Sequence, residues 1–131
     1  MLVPGASGGV GSAVVQLARR RGAKVTALCG AAKAAEVLAA GADRVIGVRH
    51  GDAEWPTAMA SLKEEKVDVL VDNVGGEGFV ELFETLRRSG RYVTSGAIGG
   101  PIVALDLRTL YLKDLKASLL LRTFGNPLEL R

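Results

Sequence analysis

Gly5, Gly8, Gly9 and Gly11 fall within seven positions, and an apolar helical repeat begins directly behind them. That combination suits anion chemistry. The first N–H groups of a helix have no intrahelical partner, and the helix dipole is positive there. A pyrophosphate satisfies both needs if no side chain blocks its approach. Ala6-Ser7-Gly8-Gly9-Val10-Gly11 fits the G-x-G-x-x-G pattern, with Ala in the first place. A short strand before it, a helix after it and a second strand on schedule complete a βαβ unit, the setting in which this pattern binds a dinucleotide.

The end of the second strand bears on which dinucleotide. An Asp or Glu there would hold the ribose 2′-OH of NAD. Here the strand ends Ala27-Leu28-Cys29-Gly30, and the next charged residue is Lys33. The missing acid removes repulsion toward a 2′-phosphate, and the lysine adds attraction. The reading favours NADP, with NAD as the alternative. Two further glycine-rich loops, Asp72–Gly76 ("DNVGG") and Ser95–Gly100 ("SGAIGG"), follow apolar strands. Ligands of open α/β sheets sit beyond the carboxyl ends of strands, so these loops are placed to meet the nicotinamide half.

Other chemistries lack their residues. One Cys (Cys29) and one His (His50) are too few for a zinc site, which takes three or four protein ligands. No Ser-His-Asp triad is evident, and His50, in a Gly/Asp loop, reads as a surface residue. No catalytic residue is assigned.

The elements that would position these groups alternate strand and helix. Val10, Ala13, Val14, Leu17 and Ala18 share one helical face, Arg19–Arg21 crowd the last turn, and Gly22 stops the helix. Val25–Leu28 is a strand, Ala32–Ala40 a helix closed by Gly41, and Arg44–Ile46 a strand. Asp52 is placed to cap a helix through Ala58–Leu62. Val67–Val71 is a buried strand, and Phe79, Leu82, Phe83 and Leu86 mark an amphipathic helix. Gly90–Ser95 is a strand, Asp106 to about Lys113 a helix, and Lys116–Leu121 a last strand. The expected class is α/β, a doubly wound parallel sheet of Rossmann type, in one domain over residues 1–131.

Composition agrees. The chain has 131 residues, 48% hydrophobic, with a net charge of +3. No apolar run approaches the roughly 20 residues of a membrane span. No signal peptide reads from Met1-Leu2-Val3, and a lone cysteine fits a reducing, cytoplasmic setting. Dispersed basic residues and few aromatics (5%) argue against nucleic acid as a partner. Both ends read as cut from a longer polypeptide. Leu2-Val3-Pro4 is short for a central strand, and Asn126-Pro127-Leu128-Glu129 reads as a helix start.

"GASGGVGSAVVQLARRRGAKV", "GADRVI", "VDVLVDNVGG", "RRSGRYVTSGAIGG" and "LDLRTLYLKDL", in this order, resemble the cofactor-binding domain of the medium-chain dehydrogenase/reductase superfamily. The likeness spans residues 2–126 and leans toward the zinc-independent, quinone-oxidoreductase-like branch. It implies a two-domain enzyme in which a β-rich catalytic domain, absent here, faces this one across a cleft. It also implies hydride transfer from NADPH to quinones or other activated, often α,β-unsaturated, carbonyls. By motif, Ser7, Gly8, Gly9, Val10 and Gly11 meet the pyrophosphate, and Gly30 and Lys33 the adenosine end. Asn73, Gly75, Ser95, Gly96, Ala97 and Ile98 line the nicotinamide side.

The sequence departs from that pattern at Pro4, where proline is poor in a central strand. It departs again at Val48, where many relatives place a tyrosine near adenine, and at Leu121-Arg122. Two alternatives stand beside the resemblance. A short-chain dehydrogenase would need a Tyr-x-x-x-Lys pair, but Tyr92 is followed by Gly96 and Tyr111 by Leu115. The other is a non-catalytic NADP-binding sensor. The apolar last strand, at a sheet edge, points to a homodimer.

Overall fold

Successive residues of a strand face opposite sides of a sheet, and in this chain both sides are apolar. Leu2 and Leu28 join one buried cluster with Met59, Leu62, Leu70, Phe83 and Tyr92. Their neighbours Val3 and Ala27 join another with Val15, Ala18, Val25 and Val37. A sheet buried on both faces needs helices on both, which is the doubly wound arrangement. The computed structural model describes residues 1–119. Leu121-Arg122, the far end of the last predicted strand and the Asn126–Glu129 helix start lie outside the described residues.

The elements in chain order are β1 (Leu2–Pro4), α1 (Gly9–Arg20), β2 (Thr26–Leu28), α2 (Ala34–Ala40), β3 (Arg44–Ile46), α3 (Trp55–Glu65), β4 (Val67–Asp72), α4 (Phe79–Glu84), β5 (Leu86–Thr94), α5 (Leu107–Leu112) and β6 (Lys116–Leu119). A 3-10 turn, Ala31–Lys33, leads into α2, and another, Gly76–Gly78, into α4. The strand order is β3-β2-β1-β4-β5-β6, and every pairing is parallel. The order reverses between β1 and β4. The two strands there send their connections to opposite faces, leaving a crevice beyond their carboxyl ends.

β1 is indeed central although it has only three residues and ends in proline. It pairs with β2 throughout but with β4 only at Leu2–Leu70. Pro4 therefore stands where the ladder to β4 has already ended, so its missing N–H disrupts little there.

Three local expectations are corrected. The buried face of α1 is Gly11, Val15 and Ala18, while Val10 and Leu17 are 56% and 55% exposed. The face is set by Gly11, which must sit against the turn after β1. A Cβ on Gly11 would fall on the Gly5 carbonyl oxygen and 2.8 Å from Ala6 Cα. Asp52 does not cap α3. It lies too far upstream, and its carboxylate accepts the Arg49 N–H (2.8 Å) while its carbonyl accepts the Trp55 N–H (3.0 Å). Leu86 is not helical. The Val67 N–H donates to the Thr85 carbonyl (2.9 Å), so by Leu86 the chain has already entered the sheet as β5.

The close approach of α1 to β1 generates a test. Gly11→Ala forces the helix off the turn and should lower stability by about 1–3 kcal/mol. Gly9→Ala meets open space and should stay within about 0.5 kcal/mol. Urea denaturation of the two variants compares them directly; equal stability would mean the contact at Gly11 is not tight.

Candidate functional site

The crevice at the strand reversal holds a cavity of about 510 Å³. Its floor is the turn from β1 into α1. The Gly8 N–H is taken by the Gly5 carbonyl (3.0 Å), and the Ser12 N–H by the Gly8 carbonyl (2.8 Å). The N–H groups of Gly9, Val10 and Gly11 lie between these, at the helix start, where no intrahelical acceptor reaches them. Ser7, Gly8, Gly9, Val10 and Gly11 all line the cavity, as do Asn73, Ser95, Gly96, Ala97 and Ile98. The structure thus gathers the predicted pyrophosphate residues and all of the predicted nicotinamide-side residues except Gly75 around one space.

The far wall depends on Asp72, the last residue of β4, which is 0% exposed. Its Oδ1 accepts the N–H groups of Val74 (2.8 Å) and Gly75 (3.2 Å), and its Oδ2 accepts the Tyr92 hydroxyl of β5 (3.2 Å). The loop after β4 is then tied to the loop after β5. The Ile98 and Gly99 N–H groups donate to the Asn73 and Val74 carbonyls (3.2 and 2.7 Å), and the Gly76 N–H to the Gly100 carbonyl (3.0 Å). Gly75 bridges Gly100 with φ of 60°, a left-handed conformation that glycine adopts without a Cβ clash.

Asn73 sits where these loops meet. Its Oδ1 accepts the Ser95 hydroxyl (2.6 Å), which fixes the amide. Its Nδ2 is buried with no hydrogen-bond partner. A buried donor without an acceptor is costly, and this one belongs to a residue that lines the cavity, so a ligand oxygen there would relieve it.

Three predicted residues lie elsewhere. Gly75 lines an adjoining apolar cavity of about 370 Å³, which Gly96 and Ala97 share. Gly30 sits beneath the Arg49 side chain. Lys33 does not line the main cavity; its Nζ is bonded to both carboxylate oxygens of Glu36 (2.9 and 3.2 Å). His50 is partly exposed, lies edge-on to Trp55 and is 3.9 and 3.8 Å from Glu77 and Glu81.

A model of the family described as zinc-binding dehydrogenase matches residues 9–126. The chain belongs to the zinc-binding dehydrogenase family. Within it, the chain is 35% identical over 118 residues to acryloyl-coenzyme A reductase of Metallosphaera sedula, covering 88% of this chain and 33% of that protein. Among solved structures, a candidate alcohol dehydrogenase from Sinorhizobium meliloti 1021 is 49% identical with a TM-score of 0.80, covering 90% of this chain and 32% of that one. Escherichia coli quinone oxidoreductase complexed with NADPH is 34% identical with a TM-score of 0.74, covering 88% and 36%. The chain spans about a third of the length of the curated relatives it matches. The medium-chain dehydrogenase/reductase resemblance and the Rossmann-type fold both hold.

Among the described residues, no three His, Cys, Asp or Glu side chains gather as a metal site. Val48, where tyrosine was noted in relatives, turns into the core with Leu28 and Trp55. Sequence reasoning missed Arg49, which lines the cavity beside Gly5 and Val74. The signal was its position just after β3, on the ligand edge of the sheet. It also missed that Asp72 organises the loop it precedes.

Burial and then the Asp72 charge push the Tyr92 phenol up to about 12. An unfolded tyrosine titrates near 10. Between about pH 10 and 12 the unfolded chain gives up this proton first, so folding stability falls as pH rises through that window. Tyr92→Phe should flatten that fall. At pH 7 it should cost about 1.5 kcal/mol, because Asp72 loses a donor. Urea melts at pH 7 and across pH 10–12 check both; an unchanged alkaline slope would mean that another group titrates there.

Proposed function

We propose that this chain is the NADP(H)-binding domain, over residues 1–131, of an oxidoreductase that reduces quinones or other activated carbonyls. The observation that carries the reading is the cavity itself: a helix start with open N–H groups on one side and an orphaned Asn73 Nδ2 on the other. When bound, NADPH supplies the hydride.

The residues of the chain do the positioning. The N–H groups of Gly9, Val10 and Gly11 are free to donate to phosphate oxygens, and Ser7 and Gly8 leave the approach open. Asn73, held by Ser95, can donate to an oxygen at the nicotinamide end, where Gly96, Ala97 and Ile98 form a wall without bulky polar groups. The NADPH complex of the quinone oxidoreductase relative supports this cofactor. Family membership weighs against the short-chain alternative, and NAD stays the alternative cofactor.

A second domain would supply the opposite wall. Ile98 and Ile102 stand 91% and 89% exposed, which supports a protein surface covering this edge in the whole enzyme. A cytoplasmic setting fits the free, buried Cys29. Among the described residues no helix is long and apolar enough to cross a membrane.

Calorimetric titration with NADPH tests the reading. The chain should bind NADPH, and Gly8→Val should abolish binding with the far-UV circular dichroism unchanged. The Gly8 Cβ position has only the Gly5 carbonyl oxygen within 4 Å, at 3.4 Å, so valine there leaves the fold intact and fills the approach. NADPH oxidation with 1,4-benzoquinone should be negligible for the chain alone, because an open site loses orientation and water exclusion. Binding that survives Gly8→Val would place the phosphates elsewhere, and saturable turnover would remove the need for a second domain.

The reading extends to assembly. β6 is the edge strand of the described sheet, and bare edges invite pairing. A homodimer joined at this edge should appear in sedimentation at high concentration; a stable monomer there would count against it.

A further inference from the structure

The end of β2 is where the choice between NAD and NADP is expected to lie, and the structure puts a different cation there from the one the sequence suggested. Lys33 is paired with Glu36 and lies outside the lining of the cavity. Arg49 comes from the next strand over, just after β3. Its backbone N–H is held by the Asp52 carboxylate (2.8 Å), and its side chain crosses to Gly30. A Cβ added to Gly30 would lie 2.5 Å from Nη2 and 2.7 Å from both Cζ and Nε. The guanidinium therefore rests against the backbone at the position an NAD-type acid would occupy. It lines the cavity with the glycine turn, and among the described residues it has no ion-pair or side-chain hydrogen-bond partner. Burial pushes the Cys29 thiol up while the Arg49 charge opposes that shift, consistent with a positive charge at this strand end.

Resting on the NADP reading above, we propose that Arg49, with Gly30 as the bare surface beneath it, is the residue that selects the 2′-phosphorylated dinucleotide, and that Lys33 is not. A guanidinium presents a planar fork of donors that matches a phosphate and stays charged at all working pH values. Lys33 lies outside the cavity lining, in a solvent-exposed pair with Glu36. Gly30 contributes by lacking both a side chain that would displace the fork and a carboxylate that would neutralise it.

Titration of the full chain with NADP+ and NAD+, and with adenosine 2′,5′-bisphosphate and 5′-AMP as fragment probes, tests the assignment. Arg49→Ala should weaken NADP+ and the bisphosphate by about tenfold or more, with NAD+ and 5′-AMP changed by less than about twofold. Arg49→Lys should fall between. Lys33→Ala should change NADP+ by less than about twofold. Gly30→Asp, whose backbone is extended (φ −62°, ψ 143°) and accepts a side chain, should lose NADP+ preference as Arg49→Ala does. Circular dichroism of each variant guards against misfolding, and Arg49→Gln, of similar size, replaces Arg49→Ala if that variant unfolds. Equal loss for both dinucleotides, no loss, or a selective loss in Lys33→Ala overturns the proposal. If the unaltered chain binds neither dinucleotide, the cavity is not a dinucleotide site and both readings fall. If it binds both equally, the dinucleotide reading stands and the role of Arg49 falls.

Discussion

A carboxylate removed from water must find its hydrogen bonds inside the protein, or it becomes a heavy cost. Asp72 is such a group, and it finds three: two backbone N–H groups just downstream and one phenol on the neighbouring strand. The two N–H bonds bend the chain sharply after β4 and turn Asn73 toward the crevice. The phenol fastens the same carboxylate to β5, so the two loops that form the far wall share one anchor. The apolar rings of Phe79 and Phe83 pack against Tyr92 at 5.5 Å and keep water from that anchor. The wall is thus an extension of the core.

The near wall rests on a contact of another kind. There a helix approaches a turn until only a hydrogen atom fits between them, at Gly11. The two walls face each other because β1 and β4 are neighbours at the reversal of strand order. Topology sets where the crevice opens, and the local contacts set its shape.

Much of this was legible from residue types. The alternation of short apolar runs with helical repeats gave the strand and helix order, and the glycine turn marked the floor of the cavity. What was not legible had physical causes. The apolar repeat on α1 was read as including Val10 and Leu17, because periodicity does not say how deeply a helix docks. The contact at Gly11 rotates the buried face onto Val15 and Ala18. Asp52 looked like a helix cap, but side-chain capping acts over two or three residues, and the helix began later. Lys33 and Arg49 are sixteen positions apart in sequence. Only the pairing of β2 with β3 brings Arg49 over Gly30, whereas the i,i+3 spacing of Lys33 and Glu36 was itself a readable signal that the lysine has a local partner.

The cross-links between the loops after β4 and β5 have a thermodynamic consequence. Flexible loops that close on a ligand lose conformational freedom at that moment, and the loss subtracts from affinity, by about 0.5–1.5 kcal/mol for each immobilised side chain. Here Ser95 already holds the Asn73 amide, and the bridge between Gly75 and Gly100 already holds the backbone. That ordering entropy is spent during folding. Contacts a small molecule makes with this wall can therefore appear almost undiminished in its affinity, and its arrival need not wait for a loop to rearrange.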